Sequence, residues 1–207
     1  LDNADFISRL LDVIEHDVIP MTARGVADGN KLFGAAILRK SDLSVVVAET
    51  NNETENPLWH GEMHAIKRFF ELPEDQRPAT KDCVFLTSHE PCSLCLSGIT
   101  WSGFDNFYYL FTYEDSRDSF GIPYDIQILQ AVYAVPDPDR AAVPPDRPLY
   151  NRSNAFFRSR SLSEMVAGVD RDHRENLLAR LDDLRAAYAD LSAIYQRDKG
   201  KKGIPLA

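Results

Sequence analysis

The chain has 207 residues, 44% of them hydrophobic and 27% charged, an ordinary globular composition with room for a real core. Its formal net charge is −9 and its pI is near 5.0, which disfavours a phosphate backbone, and so nucleic acid, as a partner. Three cysteines, few and odd in number, argue against a secreted disulfide framework and for a reducing, cytoplasmic setting, and no apolar run reaches the length of a membrane span.

In chain order, Phe6, Leu10, Val13, Ile14 and Val18 recur at helical spacing, so the N-terminus reads as an amphipathic helix. Charged residues from Arg9 to Glu15 interrupt it too often for a signal peptide. Arg24-Gly25 and Asp28-Gly29-Asn30 break the helix. Leu32 to Arg39 and Leu43 to Thr50 read as a hairpin of two central strands, covered on both faces. A polar loop follows to Pro57, then a helix from His60 to Phe70. Val84 to Thr87 is expected as a third strand, then a helix from Pro91 to about Trp101, a fourth strand from Phe107 to Phe111 and a fifth from Ile126 to Val135. Strands alternating with helices give an α/β class: a three-layer α/β/α sandwich on a five-stranded mixed sheet.

Residues 1–135 hold this core. Pro136, Pro138, Pro144, Pro145 and Pro148 then open a connection, and residues 136–207 read as that connection plus a helical C-terminal extension. Ser161 with Glu164, and Asp172 with Glu175, have capping-box spacing. Leu177, Leu181, Leu184, Tyr188, Leu191 and Tyr195 make one apolar stripe, able to pack on its own domain or on a partner.

Two short segments carry the chemistry, His60-Gly61-Glu62 and Pro91-Cys92-Ser93-Leu94-Cys95. Cys92 and Cys95 share one face of a helix start, where the helix dipole favours thiolates. His60 and Glu62, two apart, serve one ion only if it lies off the tip of their helix. The pattern therefore predicts Zn²⁺ pinched between two helix N-termini, with His60, Cys92 and Cys95 as ligands. Three protein ligands leave the fourth position open, as in catalytic rather than structural zinc sites. Glu62, beside the ion but not bound to it, fits a proton carrier: base toward water, then acid toward a ring nitrogen and departing ammonia. Other readings are a thiol redox motif, a closed zinc site with Cys83 as fourth ligand, His64 as a rival ligand, and a pocket role for His89.

H-x-E followed by P-C-x-x-C resembles the zinc-dependent cytidine/deoxycytidylate deaminase superfamily over roughly residues 30 to 130. Phe33 to Leu38 and Thr87 to Trp101 are similar to its free-base branch of guanine and cytosine deaminases. The resemblance implies the same ligands, Glu62 as proton shuttle, and substrate-binding roles for Asn51 (with Asn52 as the neighbouring alternative) and Asp118. It also implies a small heterocyclic substrate, guanine-like before cytosine-like, and a homodimer, with the C-terminal extension closing the pocket. Nucleoside, nucleotide or tRNA adenosine deamination is the alternative activity, and a noncatalytic zinc-stabilised binding module is the alternative of another class.

Overall fold

The computed structural model describes residues 4–133, 150, 152–153, 157–199 and 201. Five strands form one sheet in the order β2-β1-β3-β4-β5. They are β1 (Gly34–Arg39), β2 (Val45–Thr50), β3 (Cys83–His89), β4 (Asn106–Phe111) and β5 (Arg158–Ser161). The β1–β2 and β1–β3 pairs are antiparallel, while β3–β4 and β4–β5 are parallel, so the sheet is mixed.

The helices lie on both faces. On one pack α1 (Ala4–Val13), α2 (Ile19–Ala27), α7 (Leu162–Ala167) and α8 (Arg171–Asp198). On the other pack α3 (Gly61–Phe70) and α4 (Ser93–Trp101). Strand alternation explains the division: Val84 and Leu86 of β3 enter the first core, Cys83 and Phe85 the second. α5 (Tyr113–Asp118) and α6 (Tyr124–Tyr133) follow β4.

Several expectations change. The N-terminal helix runs through Gly25, with one π-helical turn at Ile14–Val18. It ends at Asp28, where Gly29 turns the chain at φ 95°. Of the two expected central strands only β1 is central. β2 pairs with β1 alone and is half-covered, as an edge strand must be. The stretch from Ile126 is helix, not strand: Ile126 and Leu129 are buried at helical spacing within α6, continuing from buried Ile122 just before Pro123. Val135 and the proline-rich connection lie outside the described residues. The fifth strand is β5, whose Arg-Ser-Arg-Ser sequence buries only its serines.

Ser161 stands at the N-cap of α7 but makes no capping bond, and Glu164 pairs with Arg152 instead, at 3.0 Å. α8 is capped by Asp170 rather than Asp172. The apolar stripe of α8 is buried throughout in the chain's own core, so it packs in cis. Among the described residues no helix is long and apolar enough to cross a membrane.

Candidate metal centre and active site

β1, β3, α3 and α4 converge at one end of the sheet. His60 is the N-cap residue of α3 and Cys92 that of α4, both with extended backbone. Cys95 is the third residue of α4 and Glu62 the second of α3. The tip-to-tip arrangement expected from the His-x-Glu spacing is the one observed.

Gly61 makes the approach possible. A Cβ there would lie 2.8 Å from both Gly34 Cα and Phe33 O, backbone atoms that have no room to yield. The helix start thus lies flat against β1. Asn51 reinforces it: its Oδ1 accepts the Gly61 N–H at 2.6 Å, satisfying a donor that a helix start otherwise leaves free.

His60 Nδ1 lies 3.4 Å from Cys92 Sγ and 3.7 Å from Cys95 Sγ, and the two sulfurs are 3.6 Å apart. A tetrahedral zinc with ordinary bond lengths sets sulfur–sulfur and nitrogen–sulfur separations of about 3.5–3.8 Å. The three donors are therefore already spaced for that ion. Electrostatics agree. Cys95, hydrogen-bonded to Cys92, favours its neighbour's thiolate, aided by His60. Burial and the Cys92 charge push the Cys95 thiol well up. The same two causes lift the Glu62 carboxyl to about 7. Burial opposes a charge on His60, yet Cys92 and the nearby carboxylates raise its pKa to about 9. Acidic groups compete here for more negative charge than the site carries comfortably, and a dication resolves that competition.

Glu62 is buried. Its Oε1 accepts from Thr87 Oγ1 at 3.3 Å, and its Oε2 lies 3.4 Å from Cys95 Sγ. A cavity of about 220 Å³ reaches His60 and Cys92 of the cluster, its wall including Lys31, Phe33, Glu53 and Asp125; Glu62, Thr87 and Cys95 are not among its lining residues. Burial and the Cys92 charge lift the Asp125 carboxyl to about 7. Glu53 is buried and takes Lys31 Nζ at 2.7 Å.

The remaining sequence candidates fall elsewhere. Asn51 is buried with both ends of its amide engaged, Nδ2 donating to Glu53 at 2.9 Å, and it does not line the cavity. Asn52 bonds Glu55 in its own loop. Asp118 is exposed and paired with Arg117 at 2.6 Å, away from the cavity wall, where Asp125 stands instead. Cys83 opens β3 at the far end of the strand from His89, its thiol raised to about 11 by burial, so it is no fourth ligand. His64 bonds Thr50 O and Glu49. His89 sits among Phe33, Phe111, Phe120 and Tyr188, and burial depresses its pKa to about 3.

Sequence reasoning missed Lys31, Glu53 and Asp125. The helical spacing of Ile122, Ile126 and Leu129 was the available signal for Asp125. Nothing local separates buried Glu53 from exposed Glu55.

Residues 14–111 match the family described as "Cytidine and deoxycytidylate deaminase zinc-binding region". The guanine deaminase of Bacillus subtilis (strain 168) is 29% identical over 89 residues, 42% of this chain and 54% of that protein. The chain thus spans about half the length of that curated relative. Among solved structures, guanine deaminase from Bacillus subtilis aligns at a TM-score of 0.48 and 22% identity, over 70% of this chain and 86% of that one. Guanine deaminase from Nitrosomonas europaea aligns at 0.47 and 16%, over 82% and 81%. A tRNA:A34 deaminase aligns at 0.38 and 18%, over 46% and 67%. At these scores the structural likenesses assign nothing to this chain.

Proposed function

We propose, from the match of residues 14–111 to the cytidine and deoxycytidylate deaminase zinc-binding region, that the chain hydrolytically deaminates a small amino-substituted heterocycle, releasing ammonia. A free base is favoured, guanine-like before cytosine-like, in keeping with the guanine deaminase relative. The observation that carries the reading is Glu62: a buried carboxyl touching the ligand cluster and bonded to Thr87, without being needed as a ligand. A zinc kept for stability alone gives that carboxyl no task.

His60, Cys92 and Cys95 would hold the metal, which would supply Lewis acidity toward water. Thr87 Oγ1, whose shorter bond goes to His89 O at 2.8 Å, lies 3.3 Å from Glu62 Oε1, while Glu62 Oε2 lies beside the ligand cluster, placed to take a proton from water. Burial raises the Glu62 carboxyl above the ordinary carboxylate range, the direction that suits a group that accepts a proton and then returns it to a ring nitrogen. Phe33 offers the base an aromatic wall. Asp125 faces the cavity as an acceptor for ring N–H or amino groups. Asn51 acts through Gly61 and Glu53, holding the start of α3. A cavity of about 220 Å³ suits a single ring system better than a polynucleotide, in line with the acidic charge of the chain. A homodimer is part of the proposal: Trp101, 92% exposed at the end of α4, is the surface residue such an assembly would cover.

Ammonia release from a panel of amino-purines, pyrimidines, pterins and triazines tests the reading. Turnover of a purine or pyrimidine base by the zinc-loaded protein is expected. No turnover across the panel, or turnover that does not need zinc, would count against it. Light scattering on the full chain tests the dimer, and a monomer removes it.

A further inference from the structure

Glu53 lies in the polar loop between β2 and α3, yet it is 3% exposed. Three donors converge on its carboxylate. Lys31 Nζ reaches Oε1 at 2.7 Å, the Lys31 N–H reaches Oε2 at 3.2 Å, and Asn51 Nδ2 reaches Oε2 at 2.9 Å. A buried carboxylate so fixed has little freedom to turn. Its Oε1 stands 3.9 Å from His60 Nε2.

His60 turns its other nitrogen, Nδ1, to the two sulfurs. An imidazole that binds a metal through Nδ1 carries its proton on Nε2, and that N–H then needs an acceptor. Glu53 Oε1 is the acidic oxygen beside it. We propose that Glu53 is a positioning residue of the zinc centre: held by Lys31 and Asn51, its carboxylate 3.9 Å from His60 Nε2 is the acidic group that the ring's N–H faces and reaches when the ring turns to bind the metal, so it biases the ring's tautomer and orientation and raises its basicity toward the metal. Asn51 then serves both sides of the ring. One end of its amide holds Glu53, and the other holds the Gly61 N–H at the helix start next to His60. Lys31 Nζ supplies the buried counter-charge to that carboxylate at 2.7 Å.

The test is zinc affinity, measured on the full chain by competition with a chromogenic chelator. Glu53→Gln should weaken zinc binding about 10- to 100-fold, the usual size of a change behind a ligating histidine. Because that change leaves Lys31 without its counter-charge, the double variant Lys31→Met with Glu53→Gln, in which no charge is stranded, is measured beside it. The cobalt-substituted proteins provide a second readout. Their thiolate-to-cobalt absorption should persist, because Cys92 and Cys95 are untouched, while the weaker ligand-field bands shift with the His60 ring. Weaker affinity with the thiolate band retained supports the proposal. Parental zinc affinity in the double variant, or loss of the thiolate band in it, overturns it. Neither readout depends on which substrate is turned over.

Discussion

Two pairs of helices begin in opposite ways. α5 and α8 are capped by their own preceding residues. Thr112 and Asp115 form a reciprocal box at 3.2 and 2.9 Å, and Asp170 accepts from the backbone of Asp172 and His173. α3 and α4 begin at His60 and Cys92, whose side chains make no capping bond. The first pair spends its N-cap side chains on the backbone, the second on the metal centre. A missing cap costs a helix about 1 kcal/mol. In return, two helix dipoles point their positive ends at the thiolates. The site is thus assembled at the expense of local helix stability, and neighbours such as Asn51 make up part of the loss.

Substitutions that improve the helix while removing the ligand would break this comparison most visibly. Serine is a good N-cap, so Cys92→Ser should leave α4 at least as well started. It should nevertheless abolish zinc binding, as should Cys95→Ser, by atomic absorption. Cys83→Ser should keep the parental zinc content. Zinc retained by Cys92→Ser would show that the helix tip is ordinary. Next in size is Glu62→Gln, which should keep zinc but lower the rate by more than about 10²-fold. Loss of zinc in that variant would make Glu62 a ligand and end its role as proton carrier.

Acid sharpens a related contrast between two histidines. His60 is held up by anions, whereas His89, at the end of β3, is held neutral by burial with a pKa of about 3. The unfolded chain protonates His89 near pH 6.5, so between pH 6.5 and 3 it binds more protons than the folded chain, and stability falls as the pH is lowered. From pH 7 to 5 this residue alone should cost about 2 kcal/mol. Urea titrations at the two pH values should show that difference shrinking in His89→Leu; an unchanged difference would remove His89 as its source. The smallest effect is expected at the ordinary caps. Asp170→Ala should lower stability slightly, by loss of the α8 cap, and leave zinc affinity alone. A change in zinc affinity there would erase the division between the two pairs.

The metal centre was legible because ligand chemistry restricts residue type and spacing together. His60-x-Glu62 cannot serve one ion along a helix flank, so its spacing already implied a site at the helix tip. The sheet was legible in strand number but not in membership. Ile126 and Ile128 alternate like a strand, yet the burial of Ile122, Ile126 and Leu129 decides for helix. Arg158-Ser-Arg-Ser161 has no apolar signal, because a short edge strand can be specified by backbone pairing with β4 alone. Asp118 and Asp125 show the same limit from the side of function. Both follow β4, but only the turn of α6 brings one of them to the cavity. Glu53 depends on Lys31 and Asn51, partners that local pattern does not reveal.

The late arrival of β5 has a consequence for synthesis. Every metal ligand, and β4 with its Asn-Phe-Tyr-Tyr-Leu-Phe run, leaves the ribosome before residues 158–161 exist. At ~5–20 residues per second, the nascent chain carries an apolar strand, paired with β3 on one side only, for a few seconds. Such an edge is a template for pairing with another chain. Early zinc capture in the cell would therefore not by itself protect the newborn protein. Until the four-residue polar strand β5 is made, well after β4, that edge stays open.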